Sequence, residues 1–439
     1  MNTVAPGLLL ALTTTLLGAA EVEDQLRSQL QQVYPSVETL YQQLHARPEL
    51  SFQEKETAAR LAQELKQNGF EVTQHVGGHG LVGVLRNGAG PTVLLRTDLD
   101  ALPVKEQTGL AYASQVLAPD DAGRQVPVMH ACGHDVHMAV FVGTGRLLAK
   151  LRTHWKGTLV LIGQPAEERG AGARAMLEDG LFTRFPKPDY ALALHVAAQL
   201  PAGSVALAEG FAMANVDSVD ILIRGVGGHG AYPHTTKDPI LIAAQTILAL
   251  QTIVSREVPP TEPAVVTVGS IQAGTKHNII PDEARLQLTI RSFSDEVRAQ
   301  ILAAVRRITE GIARTAGLPE ELLPTVTVSD EFTPALYNHP DLTRRLAKRF
   351  SQVLGPAQVL PGKPVMGGED FGRYGRTPDR IPICLFALGA VDPARVAAAS
   401  QGKERLPSLH SPFFAPLPEP TLKTGLLAMT SAVLELMDQ

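Results

Sequence analysis

The chain predicts an α/β fold in which a larger domain, built on a mainly parallel sheet with helices on both faces, is interrupted by a smaller inserted domain. Three observations lead there. Near-continuous apolar runs alternate with helical patterns through the first half, as expected of parallel strands buried on both faces. After Pro201 the order becomes strand, helix, strand, strand, helix, strand, the ferredoxin-like βαββαβ arrangement. The α/β pattern then returns and runs to the C-terminus. A length of 439 residues agrees, being too great for one typical core.

Residues 1–20 read as a signal peptide. An apolar stretch from Val4 to Ala20 ends in Gly18, Ala19 and Ala20 just before Glu21, although no Lys or Arg precedes it. Export to a periplasm or the outside is expected, with a cytoplasmic protein carrying an apolar N-terminal helix as the alternative. From Glu21 to about Gly69 apolar residues recur at helical spacing, and Asn68 with Gly69 is the stop signal. TVLLRTDLDALP (Thr92 to Pro103), GTLVLIGQP (Gly157 to Pro165) and DYALALHV (Asp189 to Val196) are the buried strands, separated by helical patterns at MAVFVGTGRLLAKL and GARAMLEDG. VDILIRG opens the inserted domain and TVTVSD closes it. LTRRLAKRFSQVLG, IPICLFALGA and TLKTGLLAMTSAVLELM complete the larger one. The expected boundaries are 21–207 and 331–439 for the larger domain and 208–330 for the insert.

Composition narrows the function. Charged residues make up 19% and the net charge is −5, so no broad basic face is available for nucleic acid or anionic lipid. The two cysteines, Cys132 and Cys384, cannot form a disulfide framework.

In an open α/β sheet ligands bind beyond the carboxyl ends of the strands, and polar residues gather there. Asp98 and Asp100 end the first run, Glu167 and Glu168 follow the second, and His195 closes the third. HACGHDVHMA adds Cys132, His134 and His137 at the start of a helix, with Asp135 in reach of an N-cap role. Cys132 and His134 are two apart, so an extended segment projects them to one side. Thiolate, imidazole and carboxylate together suit Zn²⁺, whereas Mn²⁺ or Co²⁺ fits where oxygen ligands dominate. Taken singly, Cys132 reads as a small buried hydrophobe and His134 as a core or capping histidine. The density of ligand types at strand ends favours a metal site. In PAEER, adjacent side chains on non-helical backbone point in different directions, so Glu168 can bind metal while Glu167 faces the attacking water. The plainer reading is two solvated glutamates beside Arg169.

HARPELSFQE, RTDLDALPVKE, HACGHDVHMA, GQPAEERGAGA, ALHV, GGHGAYPH, HNIIPDEA, MGGEDFG and LHSPFF follow one another from about Tyr41 to the C-terminus. In this order they resemble the amidohydrolase branch of the dinuclear aminoacylase and carboxypeptidase G-like metallopeptidases, the group with hippurate hydrolase, N-acyl-amino-acid deacylases and auxin-conjugate hydrolases. The resemblance implies Cys132, His134, Glu168, His195 and His410 as ligands of two divalent ions per subunit, Zn²⁺ or Mn²⁺ with Co²⁺ as a further option. It makes Glu167 the general base. His229 becomes the histidine that reaches a site, often that of a partner subunit, and stabilises the oxyanion. Asn278 and Arg291 become contacts for the substrate's carboxylate. Asp98 and Asp100 support the site, and His137 and Asp135 take structural roles. A homodimer through the inserted domain is implied as well.

The chain departs from the family pattern in a longer link, Gln115 to Gln125, before the cysteine motif, which is expected to alter one wall of the pocket. Gly367 and Gly368 before Glu369 and Asp370 suggest a turn with a supporting role. The expected activity is metal-dependent hydrolysis of the amide bond of N-acyl amino acids or related small conjugates carrying a free carboxylate. A dipeptidase or carboxypeptidase on the same scaffold is the near alternative. A noncatalytic small-molecule binder and a cysteine hydrolase built on Cys132 are the rivals from other classes.

Overall fold

The computed structural model describes residues 7–437, with side-chain surroundings from residue 21 onward. The signal-peptide expectation for residues 1–20 rests on a start and on side chains outside the described residues.

In chain order, β1 (Glu71–Gln74), β2 (Leu81–Asn87), β3 (Thr92–Asp98), β4 (Gly157–Gln164), β5 (Tyr190–Pro201), β6 (Val205–Leu207), β7 (Asn215–Arg224), β8 (Ala264–Ala273), β9 (Glu283–Ser292), β10 (Thr325–Val328), β11 (Val359–Pro361) and β12 (Ile383–Val391) build two sheets. The helices that matter for the site are α1 (Gly7–His45), α2 (Lys55–Gln67), α3 (His134–Lys150), α4 (Pro239–Thr252), α5 (Asp295–Thr315), α6 (Pro340–Leu354) and α7 (Pro418–Met437).

The larger compact unit takes the described residues up to Gly210, Tyr337–Lys363 and the described residues from Arg373 onward. Its sheet has the order β1-β2-β4-β3-β5-β12-β6-β11. The central four, β4, β3, β5 and β12, run parallel, while β1 with β2, β2 with β4, and β12 with β6 pair antiparallel. Nearly every residue of β3, β4 and β12 is buried, so both faces of the sheet are covered, as continuous apolar strands require. Helices α1, α3, α6 and α7 share one core with these strands through Val37, Val140, Leu346 and Leu426.

Register decides what meets at the strand ends. Asp98, the last residue of β3, lies opposite Gln164, the last of β4, so Leu99–Asp100 and Pro165–Glu168 emerge side by side. Leu95 pairs with Leu192 of β5, and continuing that register brings His195 level with Asp98.

The helical stretch expected from Glu21 to Gly69 is broken. α1 ends at His45 and α2 starts at Lys55. Between them Pro48 supplies no N–H and biases Arg47 away from helix, and Phe52 turns through a left-handed φ of 64°. Two side chains of this loop reach the site.

The smaller unit is Phe211–Leu336 with Pro364–Gly372. Its sheet, β8-β9-β7-β10, is wholly antiparallel, and its burial alternates along β7 and β9. One face therefore carries α4 and α5, whose Ile242, Leu250, Ile301 and Val305 fill a separate core. Compared with the expected insert, this unit runs past residue 330 and takes in a returning segment. Backbone hydrogen bonds from Val365 to the Ala212 carbonyl (3.0 Å) and from Ala214 to the Gly367 carbonyl (2.9 Å) explain why.

Candidate metal centre

Three strand ends and two loops of the larger unit converge. Cys132 and His134 flank Gly133, whose φ of 79° makes a left-handed turn into α3. A Cβ there would lie 2.5 Å from Val196 Cγ2, so glycine is required for both the turn and the approach to β5. The shared direction of Cys132 and His134 thus comes from a turn and not, as the spacing suggested, from extended backbone. Gly133 is also the N-cap, without a side-chain cap. Asp135, expected within reach of that role, instead accepts from Val136 N–H (2.9 Å) and from His45 Nδ1 (2.6 Å).

The ligand atoms come together. Cys132 Sγ lies 3.5 Å from His195 Nε2 and 3.3 Å from His410 Nε2. Glu168 Oε2 is 3.5 Å from His410 Nε2, and Glu168 Oε1 is 3.9 Å from His134 Nε2. Glu167 Oε2 is 3.9 Å from the same His134 nitrogen. His410, which spacing alone could not supply, is set by a left-handed φ of 65° and by its N–H bond to the Ala131 carbonyl (2.9 Å).

Hydrogen bonds to the backbone aim the rings. His134 Nδ1 donates to the Asp100 carbonyl (2.8 Å), and His195 Nδ1 donates to the Val196 carbonyl (2.8 Å). Each Nε2 is left as the electron-pair donor, the usual way a protein fixes a ligating tautomer. His137 differs. Its Nδ1 faces Asp98 Oδ1 (2.8 Å) while its Nε2 accepts the Val196 N–H (2.9 Å), so both nitrogens are used and the residue braces β5. Asp98 also pairs with buried Arg96 (2.6 Å). Asp100 Oδ2 accepts from Ser51 Oγ (2.6 Å) and from Glu168 N–H (3.0 Å).

The site's electrostatics call for a cation. Burial opposes charge on His134, yet Asp98, Asp100 and Glu168 hold its pKa up at about 10. Burial, aided by the Asp100 and Asp98 charges and opposed by His134, raises Glu168 to about 7. Burial and the Glu168 and Glu167 carboxylates push the Cys132 thiol well above its ordinary range. His134 Nε2 and Glu168 Oε1 are buried and have no hydrogen-bond partner among the described residues, a costly arrangement for bare polar atoms. Divalent metal answers each of these features. The sets Cys132/His134/His195, Cys132/Glu168/His410 and His134/Glu167/Glu168 each bring their ligand atoms within 4.8 Å of one another.

Three sequence-predicted residues belong to the smaller unit. His229 and Ile279 pair in a short ladder that sets Asn278 beside Gly230. His229 Nδ1 accepts the Ala231 N–H (3.0 Å), which leaves the ring proton on Nε2. Arg291 in β9 is half-buried, with Nε donating to Thr289 Oγ1 (3.2 Å). Glu369 and Asp370 are fully buried.

Sequence reasoning missed several supports. His45 is held between Asp135 and Glu106 (2.6 and 2.9 Å), and Ser51 and Glu54 reach in from the loop before α2. HARPELSFQE had marked this loop only as a motif. The long link before the cysteine motif forms a hairpin, Leu117–Pro119 with Gln125–Pro127. It is tied beside the Glu167–Glu168 turn by Arg169 to Asp121 (3.1 Å) and by Gln53 Nε2 to the Pro119 carbonyl (2.9 Å). Arg169 also lies over the Phe52 ring at 5.5 Å.

A parallel-sheet domain that gathers a thiol, imidazoles and paired carboxylates at its strand ends defines a metal-dependent hydrolase. Residues 94–409 match the peptidase family M20/M25/M40, and the chain belongs to that family. It is 35% identical to thermostable carboxypeptidase 1 of Saccharolobus solfataricus over 93% of this chain and 97% of that protein. It is 38% identical to hippurate hydrolase of Campylobacter jejuni over 77% of this chain and 84% of that protein. The crystal structure of the Bacillus subtilis YxeP protein, a dinuclear metal binding peptidase from the M20 family, superposes with a TM-score of 0.73 at 30% identity, covering 93% of this chain and 99% of its own. The chain is a metallo-amidohydrolase of this family, and amide hydrolysis is its reaction class.

Proposed function

We propose that the enzyme hydrolyses N-acyl amino acids or related small amide conjugates, releasing a carboxylic acid and an amino acid. The convergence of Cys132, His134, Glu168, His195 and His410 with Glu167 alongside carries this reading. These five residues would hold two divalent ions, Zn²⁺ or Mn²⁺. Bound there, the ions supply Lewis acidity toward the amide carbonyl and the attacking water. Glu167 takes the proton of that water and hands it to the departing nitrogen. His229 donates from Nε2 to the developing oxyanion. Arg291 and Asn278 bind the free carboxylate, for which a guanidinium is geometrically suited. Likeness to a hippurate hydrolase favours an N-acyl amino acid, and likeness to a carboxypeptidase keeps short peptides as the second substrate class.

We also propose a homodimer through the smaller unit. Leu241 and Leu248 of α4 are 58% and 73% exposed, and Ile271 on the edge strand β8 is 50% exposed. A second copy would cover this apolar face and pair the edge. Sedimentation should give twice the chain mass, and Leu248→Glu should give monomers. A wild-type monomer would refute the dimer.

Amino-acid release from N-acetyl, N-benzoyl and long-chain N-acyl amino acids and from dipeptides, with Zn²⁺ or Mn²⁺ supplied, tests the substrate class. Turnover of the acyl amino acids over dipeptides supports the proposal. Preference for dipeptides moves the enzyme to the peptidase reading, and silence across the panel with metal bound would reject both.

A further inference from the structure

Glu54 has no role in the scheme above, yet it is wholly buried beside the site. Its Oε1 accepts two backbone N–H groups, from Phe52 and from Ala166, each at 2.8 Å. Its Oε2 is buried without a hydrogen-bond partner among the described residues. The bond to Ala166 is the informative one. Ala166 immediately precedes Glu167 and is held at φ 48°, left-handed backbone that a residue with a Cβ rarely adopts unless its surroundings impose it. On the other flank of Glu167, the Glu168 N–H ends on Asp100 Oδ2 (3.0 Å), itself gripped by Ser51 Oγ (2.6 Å). The N–H groups of both residues flanking Glu167 in the chain are therefore held by side-chain carboxyl groups, one belonging to the Ser51–Glu54 loop and the other fastened by it. Fixing residues 166 and 168 fixes the direction in which the Glu167 side chain leaves the backbone.

We propose that Glu54 is a positioning residue for Glu167, holding the left-handed Ala166 turn so that Glu167 and Glu168 diverge into their separate roles. This rests on the reading of Glu167 as the general base. Burial, reinforced by the Asp100 charge, raises the Glu54 carboxyl to about 8, so its neutral form dominates near pH 7. Glutamine keeps the carbonyl acceptor at the same reach and is the conservative replacement. Aspartate, one methylene shorter, cannot reach the Ala166 N–H without moving the turn.

The test compares wild type with Glu54→Gln, Glu54→Asp and Glu54→Ala by kcat, KM and metal content. Glu54→Ala and Glu54→Asp should keep both ions and a near-normal KM while kcat falls roughly 10- to 100-fold, the usual cost of a misplaced catalytic group. Glu54→Gln should return kcat to within about three-fold of wild type. Unchanged kcat in the Ala and Asp variants, or parallel loss of metal, KM and kcat without rescue by Gln, would overturn the role. Crystal structures of metal-loaded wild type and Glu54→Asp read the same point without turnover: Ala166 should leave the left-handed region and the Glu167 carboxylate should move while Cys132 and His134 stay. An unmoved Glu167 defeats the positioning role whatever the substrate, whereas a wild-type enzyme silent on every amide defeats the substrate reading alone.

Discussion

His410 Nε2 lies 3.3 Å from Cys132 Sγ across 278 positions of sequence. The contact closes the ligand cluster and sets the chemistry open to the thiol. Burial and the Glu168 and Glu167 carboxylates disfavour a free thiolate at Cys132, so a bound cation is what stabilises the ionised form. On the proposed reading Cys132 ligates and does not attack.

Chelation separates those roles. Dialysis against a strong chelator should abolish turnover, and Zn²⁺ or Mn²⁺ should restore it. Iodoacetamide added to the metal-loaded enzyme should leave the rate unchanged. Activity that survives chelation and is lost on alkylation would establish the cysteine hydrolase instead.

The pair of carboxylates around His45 predicts a pH-dependent stability. Burial works against its charge, but the hydrogen bonds to Asp135 and Glu106 win and hold His45 at about 10, above its ordinary 6.5. A raised pKa stabilises the fold fully below about 6.5, and that stabilisation is lost as pH rises through about 10. His45→Ala, which strands two buried carboxylates, should cost about 3–5 kcal/mol in urea unfolding near pH 6. The gap to wild type should narrow as pH climbs toward 10. A gap that stays flat across this range would contradict a charged His45.

The hairpin tied to Arg169 through Asp121 should affect selectivity. Asp121 is 82% exposed at its side chain, so Asp121→Ala should change stability by no more than about 0.5 kcal/mol. Loosening the hairpin should nevertheless shift the ratio of kcat/KM for benzoyl over acetyl substrates by about three-fold or more. An unchanged ratio would show that the hairpin does not wall the acyl pocket.

Much of this was legible in the sequence because strand ends announce themselves. Continuous apolar runs located β3, β4 and β5, and polar residues at or just after their ends marked Asp98, Glu167 and Glu168. The ferredoxin-like order could be read from alternation, since a one-faced sheet leaves a period of two. His410 could not, because nothing local announces a left-handed residue in a loop, and only the family resemblance supplied it. The break after His45 was hidden because the apolar spacing persists on both sides of Pro48. Glu54 and His45 were missed because a buried titratable side chain looks like a surface one until its partners, distant in sequence, are known.

Glu167→Gln is the most direct test of the central claim, read as bound metal and as turnover on the best substrate of the panel. The amide keeps the size of the side chain and cannot accept the water's proton. The enzyme should retain both ions while kcat falls by about 10²–10⁴-fold. Turnover within a few-fold of wild type would remove Glu167 as the base.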